Sequence, residues 1–190
     1  MAFVVGLVGE KGSGKGTLAR LLEEAAPSGV RVAQVRFSDV LRETLSLWHL
    51  EHSRANLQAL ARSMAETFSA HAISDAVQHR IANAADLVIV DGVRWLADEQ
   101  LIRSFPQNTM VYITVPPEVR YRRLRERNEN IGETDASYEQ FLVEEQARSE
   151  RDIADIGSRA DMSIVNDRSI VELQQAATGI LRHALKLEIA

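Results

Sequence analysis

The chain carries near its amino terminus the stretch Gly9-Glu10-Lys11-Gly12-Ser13-Gly14-Lys15-Gly16-Thr17, which directly follows an apolar run at residues 3–8. Glycines let successive backbone N–H groups turn toward an anion, because no Cβ atoms block its approach. The periodicity of residues 15–26 is helical, so the positive end of that helix faces the same anion, and Lys15 adds a mobile charge. The spacing between strand and helix matches the template of a phosphate-binding loop.

We predict that this loop binds the phosphates of a nucleotide. The residues predicted to do so are Gly9, Gly12, Ser13, Gly14, Lys15, Gly16 and Thr17. At the position after Lys15, where a hydroxyl would contact magnesium directly, the chain has Gly16, and the hydroxyl comes one residue later on Thr17. A magnesium ion would therefore be held through water. The alternative, a glycine-rich turn between a buried strand and a helix, does not explain why glycines, lysine, hydroxyl and flanking periodicity agree.

Composition limits the classes of protein to which the chain can belong. Its 190 residues, 45% of them hydrophobic, suffice for one sizeable core, so we expect one domain with a mobile appendage. The net charge of -5 argues against a nucleic-acid or membrane-surface partner. The absence of cysteine excludes disulfides and thiolate metal sites. No apolar run has the length of a membrane helix, and no basic region leads into a signal core, so we expect a cytoplasmic protein.

Strand and helix patterns alternate along the whole chain. Strands are predicted at residues 3–8, 31–37, 86–92, 109–115 and 161–165, with helical periodicity between them. This alternation predicts an α/β fold with a five-stranded parallel sheet between two layers of helices, a three-layer α/β/α arrangement. In such folds ligands bind at the carboxyl ends of the strands, which is also where the glycine-rich loop lies.

Asp91 follows the continuous apolar run of residues 87–90 and precedes Gly92. Continuous apolarity is typical of a strand buried on both faces of a parallel sheet. At the end of such a strand, Asp91 is placed to take a magnesium-bound water or to orient a nucleophile, and Arg94 would overhang the same crevice. The alternative is a turn-forming Asp-Gly pair.

Ser38 and Asp39 stand where the helix after the second strand should begin, and Arg42 lies three residues beyond Asp39. Asp39 and Arg42 therefore project from the same side of that helix and are candidates to bind a second ligand. Alternatively, Ser38 caps the helix, Asp39 complements its dipole and Arg42 is a solvated partner. Residues 54–84 have helical periodicity in two segments broken near His71, with apolar core faces.

The helix predicted after Pro117 is rich in arginine. Its arginines are Arg120, Arg122, Arg123, Arg125 and Arg127. They would repel one another unless anions or carboxylates compensate them. A polar loop at residues 128–137 and a second helix, which carries Arg148 and Arg151, follow. We predict a lid at about residues 120–151 that folds over phosphates; the alternative is a solvated face with ion pairs to acidic residues.

This combination resembles the nucleoside-monophosphate-kinase branch of P-loop proteins, which includes adenylate kinase, dephospho-CoA kinase and the deoxynucleoside-monophosphate kinases. Lys15-Gly16-Thr17 and Ser38-Asp39-Val40-Leu41-Arg42 are similar to adenylate kinase, in which the arginine of the second segment binds the acceptor's phosphate. Asp91-Gly92-Val93-Arg94 is similar to the family's segment after the third strand, with the arginine one residue earlier.

The carboxyl-terminal half is more similar to dephospho-CoA kinase and to an archaeal adenylate-kinase-like family. The segments that carry this likeness are 115–118, 123–124 with Arg127, 160–161 and 164–166. The resemblance implies that Arg123 and Arg127 border the lid and that the segment of Asn166 lies against the adenine of ATP. The helices at 54–84 are closer to those of deoxynucleotide kinases.

The resemblance implies an ATP-dependent phosphotransferase that moves the γ-phosphoryl group of Mg-ATP to a nucleoside monophosphate or a similar small nucleotide. It implies a single P-loop kinase domain over residues 1–190, with an acceptor-binding helical region at about 38–84. Lys15 and the loop amides would hold the phosphates, and Asp91 and Thr17 would hold magnesium through water. The residues expected to bind the acceptor are Ser38, Asp39, Arg42, Arg94, Arg148 and Arg151. Arg123 and Arg127 would close over the transferring group.

Three other functions remain open at this point. A dephospho-CoA kinase would use Asp39 to orient a hydroxyl acceptor or to accept its proton. An ATP-binding switch would use lid closure as a signal and phosphorylate no small molecule. A kinase of nucleic-acid ends fits poorly with the negative net charge. The sequence predicts neither the identity of the acceptor nor the oligomeric state.

Overall fold

A computed structural model describes residues 2–69, 71–82, 85–127, 137–145 and 148–185. Its centre is a parallel sheet in the order β2-β3-β1-β4-β5. The strands are β1 (Phe3–Val8), β2 (Val32–Arg36), β3 (Leu87–Val93), β4 (Asn108–Thr114) and β5 (Met162–Val165). The predicted five-stranded parallel α/β fold is confirmed.

Helices connect the strands and cover both faces of the sheet. They are α1 (Lys15–Glu24), α2 (Phe37–Leu47), α3 (Arg54–Thr67), α4 (Ala72–Ala82), α5 (Leu96–Ser104), α6 (Pro117–Arg127), α7 (Tyr138–Glu145), α8 (Arg148–Ser158) and α9 (Ile170–Leu185). No helix within the described residues is long and apolar enough to cross a membrane.

The core divides into two layers because β1 lies in the middle of the sheet and is buried on both faces. On one face Leu7 packs with the apolar sides of α1 and α9, represented by Leu18 and Ile180. On the other face Val8 packs with α4, α5 and α8, including Ile102. Side chains of a strand alternate between faces, so a strand buried on both must be apolar throughout. This arrangement fixes β1 firmly beneath the loop that follows it.

Element boundaries differ from the sequence expectations in two places that affect the site. β3 spans Leu87–Val93, one residue later than the predicted range 86–92, and Asp91 lies within the strand in both. α2 begins at Phe37, so Ser38 is inside the first turn and does not cap the helix. The predicted lid loop at 128–136, and the junction at 146–147 inside the helix predicted for 138–156, lie outside the described residues.

Candidate active site

The glycine-rich loop spans the turn between β1 and α1, and Lys15 is the first residue of α1. The Lys15 Nζ donates hydrogen bonds to the carbonyl oxygens of Gly9 at 2.7 Å and Glu10 at 2.9 Å. These bonds hold the ammonium group over the loop that the sequence predicts to bind phosphates. Gly16 and Thr17 continue α1, so the loop ends at the positive pole of this helix.

Two glycines of the loop are required by close contacts. A Cβ atom on Gly9 would lie 2.2 Å from the carbonyl oxygen of Ile113 in β4. Gly14 has a φ of 106°, and a Cβ atom there would lie 2.3 Å from Asn166 Nδ2. L-residues rarely adopt that backbone conformation, and neither distance is compatible with a side chain. The loop is therefore seated directly against β4 and against the residue that follows β5.

Asn166 supports the loop from behind. Its buried side chain donates from Nδ2 to the carbonyl oxygen of Ser13 at 2.8 Å, and its backbone N–H donates to the Thr114 carbonyl at 2.8 Å. Arg123 on α6 donates from Nη2 to the Asn166 carbonyl at 2.8 Å. The structure thus brings together two predicted site residues, Asn166 and Arg123. Their direct contact with a nucleotide stays a prediction.

A second contact links the loop to α8. The Tyr112 hydroxyl in β4 donates a hydrogen bond to Glu10 Oε1, and burial raises the pKa of this phenol, as does its bond to Glu10. The ring of Tyr112 packs so closely on Gly157 of α8 that a Cβ atom there would lie 2.7 Å from it. Sequence reasoning did not identify Glu10 or Tyr112, because their pairing joins residues 102 positions apart.

Arg120 differs from the other arginines of α6. Its side chain is only 5% exposed, its Nε donates to the Val115 carbonyl at 3.1 Å, and its guanidinium forms an ion pair with Glu145 of α7. The ring of Phe141 lies 5.5 Å from that guanidinium. The carbonyl of Arg120 also faces Gly12, where a Cβ atom would lie 3.0 Å away. Arg120 is therefore an internal connection between the loop, α6 and α7.

Asp91 lies on β3, next to the strand that leads into the loop. It is opposite Leu7 of β1 and opposite Arg36 of β2. Its side chain is 16% exposed; Oδ2 lies 3.8 Å from the Arg36 Nε, and Oδ1 is buried with no hydrogen-bond partner among the described residues. An unsatisfied buried carboxylate oxygen is costly, so this atom is suited to accept a hydrogen bond from a ligand or its water.

Three of the candidate acceptor residues, Ser38, Asp39 and Arg42, lie on α2, which follows β2, the strand next to that of Asp91. The Asp39 carboxylate in α2 accepts a hydrogen bond from the backbone N–H of Arg36 at 3.2 Å, and Arg42 is exposed on the same helix. Arg94 follows the end of β3. Its backbone N–H donates to Asp98 Oδ2 at 3.0 Å.

Asp98 is a buried carboxylate in the first turn of α5. Burial raises its pKa to about 6, although hydrogen bonds from the N–H groups of Arg94 and Trp95 and the charge of Arg94 act in the opposite direction. Because the folded-state pKa is raised, the native state binds more protons than the unfolded state between about pH 4 and 6. Asp98 therefore contributes stability at low pH that is lost as the pH rises through this interval.

The variant Asp98→Asn provides a test of this pH dependence. We expect the stability of the wild type relative to the variant to fall by a few kcal/mol between pH 4 and pH 7, because a shift of about two units corresponds to that amount. Urea unfolding of both proteins at several pH values measures the difference. A difference that is constant across this range would contradict the raised pKa.

Comparison with known proteins assigns the chain to a family. The family described as AAA domain matches residues 5–151, which include the glycine-rich loop, Asp91 and the candidate acceptor residues. The chain belongs to the AAA domain family. The fold of the chain agrees with the resemblance stated above, and the predicted resemblance to P-loop kinases is confirmed at the level of the fold.

Relatives in other organisms match nearly the whole length of this chain. A UPF0200 protein of Sulfurisphaera tokodaii is 28% identical over 182 residues, which are 96% of this chain and 97% of the relative. A UPF0200 protein of Pyrobaculum aerophilum is also 28% identical, over 95% of this chain and 98% of its own. The names of these relatives state no activity.

Solved structures show the same fold. A shikimate kinase from Bacteroides thetaiotaomicron has a TM-score of 0.63 and 17% identity, over 97% of this chain and 99% of that chain. A shikimate kinase from Acinetobacter baumannii in complex with shikimate has a TM-score of 0.58 and 15% identity, over 100% and 97% of the two chains. At these identities the likeness extends to the fold alone.

Several predicted site residues of the AAA domain stay predictions. Arg127 is the last residue of α6, and Arg148 and Arg151 lie on α8, but their side chains lie outside the described part of the chain. The same holds for the loop at 128–136, on which the predicted lid depends. Within the described residues, no group of three histidine, aspartate or glutamate side chains could hold a metal ion.

Proposed function

We propose that this AAA domain is an ATP-dependent phosphotransferase that moves the γ-phosphoryl group of Mg-ATP to the phosphate of a small nucleotide, such as a nucleoside monophosphate. One observation supports the proposal: in the order β1-β3-β2, the strands that precede Arg94 and Arg42 lie successively beside the strand that leads into the loop. The loop follows β1, Asp91 and Arg94 belong to the end of β3, and Arg42 is on the helix after β2. A protein that only bound ATP would not need these additional cationic side chains next to its phosphate-binding loop.

The chemistry asks the protein for alignment and charge neutralisation, since the transition state of phosphoryl transfer is loose and highly charged. Lys15 and the loop amides would hold the β and γ phosphates. Magnesium, when bound with ATP, neutralises charge on these phosphates. The unsatisfied Oδ1 of Asp91 and the hydroxyl of Thr17 fit a role in holding its water.

On the acceptor side, Arg42 and Arg94 would hold the anionic group, with Ser38 and Asp39 beside them. Arg123, Arg127, Arg148 and Arg151 would neutralise the transferring group and exclude water. For Arg123 the bond to the Asn166 carbonyl supports a position next to the loop. A guanidinium can keep such a bond and still offer further N–H groups to a phosphate.

A phosphate acceptor fits the geometry of Asp39 better than a hydroxyl acceptor does. A hydroxyl acceptor needs its proton removed, and Asp39 is the candidate base on this side of the crevice. One of its carboxylate oxygens already accepts the backbone N–H of Arg36 at the start of α2. A phosphate acceptor is already anionic at neutral pH and needs no base. This use of Asp39 supports a nucleoside monophosphate over dephospho-CoA.

The experiment is a panel of acceptors assayed for ADP release. AMP, CMP, GMP, UMP and dTMP form one arm; dephospho-CoA and shikimate, whose acceptor group is a hydroxyl, form the other. We expect acceptor-dependent turnover with at least one nucleoside monophosphate. Turnover with a hydroxyl acceptor alone would overturn the choice of a phosphate. Slow hydrolysis that no acceptor stimulates would contradict a kinase and support a switch.

A further inference from the structure

An arginine lies at the carboxyl end of β2 and another at that of β3, and the backbones of both are held in the same way. Arg36 is the last residue of β2, and its backbone N–H donates to Asp39 Oδ2 at 3.2 Å in the first turn of α2. Arg94 follows β3, and its backbone N–H donates to Asp98 Oδ2 at 3.0 Å in the first turn of α5. In each case the carboxylate of the following helix fixes the main chain of the arginine. The main chains of both arginines are thus held in place at the carboxyl ends of two neighbouring strands.

The guanidinium of Arg36 lies near the carboxylate of Asp91 but is not hydrogen-bonded to it. Arg36 is opposite Asp91 in the pairing of β2 with β3, and its Nε is 3.8 Å from Asp91 Oδ2. That distance is too long for a hydrogen bond. The Arg36 side chain is 53% exposed, so water screens part of its attraction to the Asp91 carboxylate. An anion that accepts direct hydrogen bonds from this guanidinium can therefore compete with Asp91 for it.

We propose that Arg36 is a second acceptor-binding arginine, which together with Arg94 clamps the phosphate of the acceptor across the ends of β2 and β3. This inference rests on the proposed phosphotransferase function and adds a binding residue to it. The ligand group is a phosphate monoester, which a guanidinium binds through two parallel hydrogen bonds. Binding exchanges the loose contact with Asp91 for direct bonds to phosphate oxygens and leaves the Asp91 carboxylate open to water.

Three variants test the clamp. Arg36→Ala removes the guanidinium, and Arg36→Lys keeps a positive charge near Asp91 but loses the planar pair of donors. The matched control is Arg31→Ala, because Arg31 directly precedes β2 at its opposite end and is an exposed arginine paired with Asp86. Two quantities are measured for each protein: the KM of the acceptor and the Kd of MgADP. The acceptor is whichever of AMP, CMP, GMP, UMP and dTMP gives the fastest ADP release with the wild type.

We expect Arg36→Ala to raise the acceptor KM about 10- to 100-fold, because a charge-assisted pair of hydrogen bonds to phosphate is lost. Arg36→Lys should give an intermediate value. The Kd of MgADP should change less than about twofold in both, and Arg31→Ala should match the wild type. Thermal unfolding of each variant establishes that it is folded, and Arg36→Lys carries the test if the alanine variant is not.

Each remaining outcome overturns the clamp in a distinguishable way. An unchanged acceptor KM in both Arg36 variants would remove Arg36 from the acceptor site and leave the proposed function intact. A loss of MgADP affinity as large as the rise in KM would mean that Arg36 acts through Asp91 on the donor side. If none of the five monophosphates stimulates ADP release from the wild type, the proposal of a phosphate acceptor is wrong, and so is the proposed role of Arg36.

Discussion

Replacing Lys15 with alanine should lower kcat about 10²- to 10³-fold with the acceptor identified by the panel. We propose that this ammonium group holds the β and γ phosphates, and loss of one such preorganised donor has an effect of this size. In the structure it is held by the carbonyl oxygens of Gly9 and Glu10. Phosphates of a bound nucleotide would compete for these same donors. Single-turnover measurements of phosphoryl transfer report the chemical step directly.

The control for Lys15→Ala is Arg20→Ala on the same helix. Arg20 forms an exposed ion pair with Glu24 one turn further along α1, and such pairs contribute less than about 1 kcal/mol. Its rate should equal that of the wild type. Near-normal turnover of the Lys15→Ala protein would contradict the proposed mechanism, because Lys15 would then not stabilise the transferring phosphoryl group.

Replacing Gly14 with alanine should abolish measurable nucleotide binding and lower the free energy of unfolding by about 2–4 kcal/mol. Two effects combine there. The φ of 106° is strained for any residue with a Cβ atom, and the added methyl group would lie 2.3 Å from Asn166 Nδ2. Relief of that clash would displace Asn166 from the Ser13 carbonyl and deform the loop. Urea unfolding and titration with MgADP measure the two losses.

Gly16→Ala is the matched control for stability, because nothing lies within 4 Å of a Cβ atom at that position in the first turn of α1. The midpoint of urea unfolding of this variant should equal or exceed that of the wild type, since alanine is a better helix former than glycine. The double variant Gly14→Ala with Asn166→Ala separates the two effects. The clash is absent there while the backbone strain remains, so additive losses of stability would show that the side chain of Asn166 is not involved.

The sheet was predictable from the sequence because burial on both faces leaves an unambiguous pattern. β1 and β3 are buried along nearly their whole length, so their sequences are continuous apolar runs, and their boundaries were predicted to within a residue at most. The helix boundaries at the crevice were less accurate. The N-terminus of α2 was predicted at Ser38 and Asp39, whereas the helix begins at Phe37. The alternative in which Ser38 caps the helix is wrong, because the carboxylate of Asp39 takes the bond that fixes this end.

The position of the loop between β1 and α1 was also predictable, because it follows from the local spacing of an apolar run, glycines and a helical pattern. Contacts between distant segments were not. Tyr112 bonds to Glu10 only because the folded sheet has β4 beside β1. Arg120 pairs with Glu145 only because α7 packs on α6. Arg120 shares the composition of its exposed neighbours, so nothing in the sequence marks it as buried. The aspartates at the starts of α2 and α5 did have a recognisable spacing in the sequence. Each occupies the third position of its helix, where a carboxylate can accept the backbone N–H of the N-cap residue.

The hydrogen bond from Asn166 to the Ser13 carbonyl joins residues 153 positions apart, almost the two ends of the described chain. β1 likewise pairs only with β3 and β4, whose strands come some 80 residues or more later. Contacts of such high sequence separation form late and slowly in folding. A chain emerging from the ribosome therefore has its loop sequence early but cannot brace it until residue 166 has been made. Competence to bind a nucleotide should appear as one of the last events of folding.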